Sequence, residues 1–513
     1  MTRPPTVRRA TLASTIALTL TTLLACSANI LQAHEWPSAT PDTAGASPPA
    51  PSLVPDAWPG MVWAGPEAGA PAPPSARHCA RTPQPFEIGP GPGWDTPQQS
   101  SALRRGDPAP IPRAAGSPAA RDKSAAPAAA AAAGARRTPE RAEARPEVAA
   151  ASAGPQRLPT ARPAGESVTA GVVDDNADFG AYLAYRERGA RLPTRARDVH
   201  ERYGLTVHDA RGRPVPDAEV TVFAGSLALP LWARTDASGH AWLHPLAAVP
   251  GLGASLLEVQ VRDGHSGARG AALLQRGQKH QLQIALADAR REPPRPQLDI
   301  AFLVDATGSM GDEIDKLKRS MRAVADQIAQ LPSQPDFCYG LVAYRDRGDA
   351  FFVRGADFSN DLSAFQHQLE QLQADGGGDR PEALNEALHT AVHRLSWRGS
   401  GTARMLVLVA DAPPHLDYGA PTYDQDMQAA LAKGIKLFAV GASGLDPVGE
   451  YVFRQAAQYT GGRFVFLTYA NANDPSSGPG RETVHEVRSY SVETLDALIV
   501  RLVREEMAGW PKG

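Results

Sequence analysis

Across 513 residues, 52 basic and 55 acidic side chains leave a formal net charge of −3, too small an imbalance to argue for nucleic acid as a partner. The 47 Pro and 46 Gly residues are bunched unevenly, so part of the chain is not expected to fold, and length alone overstates the domain count. Cys26, Cys79 and Cys338 are far apart and odd in number, which yields neither a zinc pattern nor a disulfide framework. A Cys79–Cys338 bridge is left open.

Arg3, Arg8 and Arg9 precede an uncharged run, Ala10 to Ala25, rich in Leu, Thr and Ala. A basic start followed by an apolar segment of this size reads as a secretory signal and is short for a membrane span. Residues 1–33 are therefore expected to direct export. The run ends in Leu23-Leu24-Ala25-Cys26, which resembles a bacterial lipobox and implies a lipidated Cys26 as a membrane tether. The alternatives are ordinary cleavage after Leu31-Gln32-Ala33 and an uncleaved anchor. Export is expected in each case, to a bacterial cell envelope, as an outer-membrane lipoprotein or as a periplasmic or secreted protein. Residues 34–165 are dominated by Pro, Ala, Gly, Ser and Arg. They bury too little apolar surface to offset the entropy of ordering, and a disordered linker is expected.

Composition changes near residue 166. Phe179, Tyr182, Leu183 and Tyr185 fall at mostly helical spacing, which predicts a short helical connector over 166–199. Asp174, Asp175 and Asp178 lack the glycine and terminal glutamate of a calcium loop and read as a solvated helix start. Residues 200–290 alternate as short strands divided by turn signals at Ala210-Arg211-Gly212, Pro214 to Asp217, Ser238-Gly239 and Asp263-Gly264, as expected of a small antiparallel β-sandwich. The phrases VHDARGRPVPDAEVTV and ARTDASGHAWL resemble the carboxypeptidase-regulatory-like, transthyretin-type sandwich family. That resemblance implies a scaffold.

Beyond the proline-rich hinge at 291–297, strand-like and helical segments alternate to the end. Strands are predicted at 298–304, 337–344, 350–354, 404–410, 435–441 and 463–468. Helices are predicted at 312–330, 361–373, 381–396, 424–433, 448–459 and 492–508. Continuous apolar runs such as MLVLVA and LFAVGA suit strands covered on both faces. The fold class over 297–513 is thus α/β, a doubly wound, mostly parallel, Rossmann-like sheet. Its ligand site is expected at the carboxyl ends of the strands.

Those ends carry oxygen ligands. The first strand runs Ile300 to Val304 and stops at Asp305, with Thr307 and Ser309 at every second residue after it. The fourth ends in Val409-Ala410-Asp411. Between them, Gly376-Gly377-Gly378-Asp379-Arg380-Pro381-Glu382 makes a close-approaching loop at a helix start. Carboxylates and hydroxyls in this pattern suit a hard divalent cation: Mg²⁺, or Mn²⁺ or Ca²⁺ in its place. His389 and His393, four apart without the glutamate of H-E-x-x-H, are read as surface residues. Ser309 does not sit in a G-x-S-x-G elbow. Cys338, opening an apolar strand, is expected to pack as a small hydrophobe.

With D-A-T-G-S at 305–309 and Asp411 after the fourth strand, this part of the chain resembles the von Willebrand factor type A family. The family's metal-ion-dependent adhesion site combines a D-x-S-x-S motif, a threonine on a later loop and an aspartate after the fourth strand. The resemblance implies metal ligation by Asp305, Thr307, Ser309 and Asp411. It departs in the middle, where GGGDRPEAL replaces the threonine loop, so that either Asp379 takes the threonine's place as a ligand or that ligand is missing. The function expected is non-enzymatic binding of a protein or other extracytoplasmic macromolecule through the cation. A metal-dependent hydrolase or enzyme-associated subunit, and a structural envelope protein with a purely structural metal, are the alternatives.

Overall fold

Along the run Leu298–Val304, successive side chains enter different cores. Leu298, Ile300, Phe302 and Val304 belong to one apolar cluster, and Ala301 and Leu303 to another. This is the two-residue period of a strand buried on both faces. The structure, a computed structural model, describes residues 70–90, 168–289, 295–331, 334–378, 380–399, 401–487, 490–508 and 510. The signal segment 1–33 with Cys26, most of the stretch 34–165, and Asp379 lie outside the described residues. All described residues belong to one compact unit, Val62–Gly513.

The strands, in chain order, are β1 (Pro85–Ile88), β2 (Thr169–Val173), β3 (Tyr203–His208), β4 (Glu219–Ala224), β5 (Leu227–Arg234), β6 (His240–Leu243), β7 (Leu256–Arg262), β8 (Arg269–Gln275), β9 (Gln281–Ala285), β10 (Gln297–Asp305), β11 (Asp336–Tyr344), β12 (Val353–Ser359), β13 (Thr402–Ala410), β14 (Ile435–Gly441), β15 (Phe464–Asn471), β16 (Asp474–Pro479) and β17 (Val492–Thr494). The large sheet runs β1-β12-β11-β10-β13-β14-β15-β2-β17, with β16 paired to β15. Its centre, from β11 to β15, is parallel. Helices Gly311–Ala329, Leu362–Glu370 and Leu495–Met507 cover one face; Leu384–His393, Tyr423–Ala432 and Pro447–Thr460 cover the other. The doubly wound, mostly parallel α/β sheet expected from the sequence is present.

Local signals set the helix ends. Pro447–Thr460 starts at Asp446, whose side chain accepts from the Gly449 N–H at 2.7 Å, and stops at Gly461 with φ +77°. A side-chain acceptor at the start and a left-handed glycine at the end satisfy backbone groups the helix cannot pair.

Residues 200–290 form two small sheets, β6-β3-β9 and β5-β4-β7-β8. The pairing of β3 with β9 is parallel, a departure from an all-antiparallel arrangement, and β8 is a strand the alternation did not reveal. These sheets share a core with the second helical face, where β5 meets helix Tyr423–Ala432. The contact is also ionic. Asp217, buried in a turn, accepts from Arg234 of its own sheet and from Arg404 of β13, at 3.1 and 2.8 Å.

Four expectations need correcting. The 166–199 connector is helical only at Phe179–Arg188; before it, β2 joins the large sheet antiparallel to β15. Asp175 is not solvated there but buried against Arg454 at 2.6 Å. The stretch read as linker is not wholly a spacer, because Pro85–Ile88 pairs antiparallel with β12. Cys338 is not merely a small hydrophobe either. It is disulfide-bonded to Cys79, with 6.1 Å between their Cα atoms, which fastens this segment to β11.

Candidate metal centre

The chain leaves β10 for β11 on one side and returns as β13 on the other, which opens a crevice at the carboxyl ends of β10 and β13. Asp305 and Asp411 stand at its walls. Asp305 is fully buried; its Oδ1 accepts from the Thr307 N–H at 2.9 Å and the Thr307 hydroxyl at 2.7 Å, and its Oδ2 from the Tyr344 hydroxyl at 3.3 Å. The Thr307 and Ser309 hydroxyls lie 3.2 Å apart. Thr307 is buried and Ser309 exposed, so the oxygen row leads from the interior to the surface. The turn then enters helix Gly311–Ala329 through one 3-10 turn.

The glycine loop is hydrogen-bonded to this turn. Gly308 N–H donates to the Gly376 carbonyl at 2.9 Å, Asp375 N–H to the Ala306 carbonyl at 3.1 Å, and Arg345 Nε to the Ala306 carbonyl at 3.0 Å. Arg345 is thus a buried brace. Gly377 has φ +63°, and a Cβ there would lie 2.9 Å from Glu382 Oε1 and 3.0 Å from Thr307 Cβ. Only glycine allows this approach.

That approach brings in a residue the sequence reading missed. Glu382, taken as the acidic start of a helix, precedes the helix at Leu384–His393 and is buried. Its backbone bridges to the loop after β13, donating to Pro413 O at 3.0 Å and accepting from His415 N at 3.1 Å. Asp349 was also missed; it accepts from the Gly377 N–H at 2.9 Å and anchors the loop. The available signal was the acidic residue three places after Asp379, in a loop whose glycines already implied close approach.

The electrostatics are those of crowded carboxylates. Burial, then the charge of Asp411, pushes Asp305 up to about 7. Burial, then Asp305, Asp346, Asp349 and Asp411, pushes Glu382 up to about 9. Burial also raises Asp411, against the pull of Ser309 and Arg380. Arg380 reaches Asp411 Oδ2 at 2.8 Å. Among the described residues, Asp411 Oδ1 and Glu382 Oε2 are buried without a hydrogen-bond partner. Buried polar oxygens left unpaired are costly, and a divalent cation, by displacing the carboxyl protons, is a group that would relieve them. The donor set of carboxylates and hydroxyls therefore fits a hard cation. Asp305, Thr307, Ser309 and Asp411 come together at one crevice, and Asp379 lies outside the described residues.

Residues 299–416, from within β10 to past Asp411, match the family model for the von Willebrand factor A domain. The chain carries a von Willebrand factor A domain. Similar stretches occur in von Willebrand factor A domain-containing protein 7 of Mus musculus, 37% identical over 98 residues, or 19% of this chain and 10% of that protein. Alpha-protein kinase vwkA of Dictyostelium discoideum is 28% identical over 124 residues, 23% of this chain and 19% of that one. Hemicentin-1 of Homo sapiens is 29% identical over 109 residues, 21% of this chain and 2% of that one. This chain spans at most 19% of the length of these three relatives. The likeness is to the A domain.

Proposed function

We propose that this protein is an exported, envelope-tethered binding protein. Its A domain engages a protein or other extracytoplasmic macromolecule through a divalent cation, Mg²⁺ or a relative such as Mn²⁺ or Ca²⁺, held by Asp305, Thr307, Ser309 and Asp411. The observation that carries the reading is the exposed Ser309 hydroxyl beside the buried Thr307, Asp305 and Asp411. A cation there has protein oxygens on its inner side and an open outer side for a partner's oxygen. Mg²⁺ tolerates few protein ligands because it keeps several waters. Ser309 has the Thr307 hydroxyl as its neighbour, which supports ligation rather than nucleophilic attack. The Cys79–Cys338 disulfide supports an oxidising compartment, in keeping with export.

A second reading, a cation that only stabilises the fold, draws support from Glu382. With Asp305 and Asp411 it makes three buried carboxylates, more negative charge than one divalent ion carries. Such a site holds metal firmly but attracts an acidic partner weakly, and Asp379 as a further ligand would strengthen the effect. Thermal melts with Mg²⁺ and with EDTA, run beside capture of envelope components on the same samples, separate the two. Capture that EDTA abolishes, Mg²⁺ restores and Ser309→Ala removes is expected. Metal-dependent stabilisation without metal-dependent capture overturns the binding reading in favour of the structural one.

A further inference from the structure

A different ligand chemistry gathers away from the crevice. His389 and His393 sit one turn apart on helix Leu384–His393, with ring centroids 4.4 Å apart. Asp426, in the first turn of helix Tyr423–Ala432, faces both. His389 Nδ1 and His393 Nε2 each lie 3.0 Å from the same oxygen, Asp426 Oδ1. Asp426 is 3% exposed, and its Oδ2 is buried without a hydrogen-bond partner among the described residues. The imidazoles are half-buried and exposed, respectively, so the cluster opens to solvent on one side.

We propose that His389, His393 and Asp426 form a second metal site, for Zn²⁺ or another imidazole-preferring first-row transition ion. Two imidazoles and a carboxylate are the donors such ions take, with water completing a tetrahedron. Ligands roughly 2.0–2.2 Å from a tetrahedral ion stand about 3.3–3.6 Å from one another. Both His–Asp separations are close to that, and one ligand atom from each residue lies within 4.8 Å of the others. Small side-chain rotations bring the set to ligand distance. The carboxylate's unpartnered oxygen argues against reading the cluster as an ion pair already complete in itself. Lys433, the neighbouring cation, spends its ammonium on the Val392 carbonyl at 2.8 Å. The site differs from the crevice in chemistry, since Mg²⁺ has little liking for imidazole. It would clip together two helices, one of which follows the Glu382 loop. It stands independently of the binding role proposed above.

The test uses the full chain, stripped with EDTA and returned to buffer with excess Mg²⁺ to satisfy the crevice. Zn²⁺ is titrated by calorimetry and Co²⁺ by its visible spectrum. Wild type is expected to take up one saturable equivalent, with the intense visible bands of tetrahedral Co²⁺. His393→Gln, at an exposed position where folding is safe, and His389→Gln should each lose it. Asp305→Ala should keep it. Far-UV circular dichroism and metal-free melts check that the variants fold. Absence of a saturable equivalent in wild type, or its retention in both histidine variants, overturns the proposal. Its loss in Asp305→Ala alone would assign the ion to the crevice and overturn it equally.

Discussion

Arg404 of β13 donates from Nη1 to Asp217 Oδ1 at 2.8 Å, across the boundary between the small sheets and the A domain. Both side chains are almost wholly buried, and Asp217 also receives Arg234 and the Gly401 N–H. A buried ion pair contributes little over an apolar replacement, yet removing one partner strands the other's charge. Arg404→Ala is expected to lower stability by about 3 kcal/mol. Thermal and urea unfolding check it, and a change within error of zero refutes it.

The same pair predicts an acid dependence. Burial opposes the charge on Asp217, but Arg234 and Arg404 outweigh it and hold the carboxyl below its ordinary 3.8. A depressed carboxyl contributes stability above its unfolded value and loses that contribution as pH falls through the folded one. The melting-temperature gap between wild type and Asp217→Asn should therefore stay constant from neutral pH down to about 5 and narrow below 3.8. A gap that widens on acidification contradicts the assignment.

Glu382 predicts a split response. Its carboxyl is pushed up to about 9, so in EDTA at neutral pH it is protonated, and Glu382→Gln, a neutral replacement of similar shape, should cost far less than the about 3–5 kcal/mol that stranding a buried charge costs. In Mg²⁺ the wild-type carboxylate is available to the cation and the amide is not. The variant should lose much of the metal-induced rise in melting temperature. Differential scanning fluorimetry with and without Mg²⁺ tests both halves, and an unaltered Mg²⁺ response removes Glu382 from the site.

Cys79 predicts a local and a global effect. Cys79→Ser frees the segment bearing β1 from β11, and loss of a native disulfide costs about 2–5 kcal/mol. Limited proteolysis should then cut within residues 70–90 before the rest of the domain. If the variant is cleaved no faster there than wild type, the bridge is not what holds β1.

Much of this architecture was legible in the sequence because the physics is local. β10, β13 and β14 are apolar on both faces, and the pattern shows in any short window. Asp305, Thr307, Ser309 and Asp411 follow the ends of such strands, so their convergence was readable once the sheet was. The hidden parts depend on distant partners. Thr169–Val173 is five residues of modest β character that becomes a strand by pairing with β15, nearly three hundred positions away. Pro85–Ile88 lies in proline-rich surroundings that argue against a strand, and only the edge of β12 and the Cys79–Cys338 bridge settle it. Glu382 looked like a helix-start acid because its proximity to Thr307 arises across the glycine loop. The His389–Asp426 contact arises between two helices, and the spacing of the histidines says nothing of Asp426.

The placement of β1 and β2 bears on how the protein can be cut. An A domain excised at residue 297, where composition puts the boundary, would lack β1 and β2, the strands paired with β12 and β15. β12 and β15 would then show unpaired backbone N–H and C=O groups to solvent, the template on which sheets join edge to edge. The fragment to express is the one that keeps both upstream strands. A shorter one invites self-association that would be mistaken for adhesion.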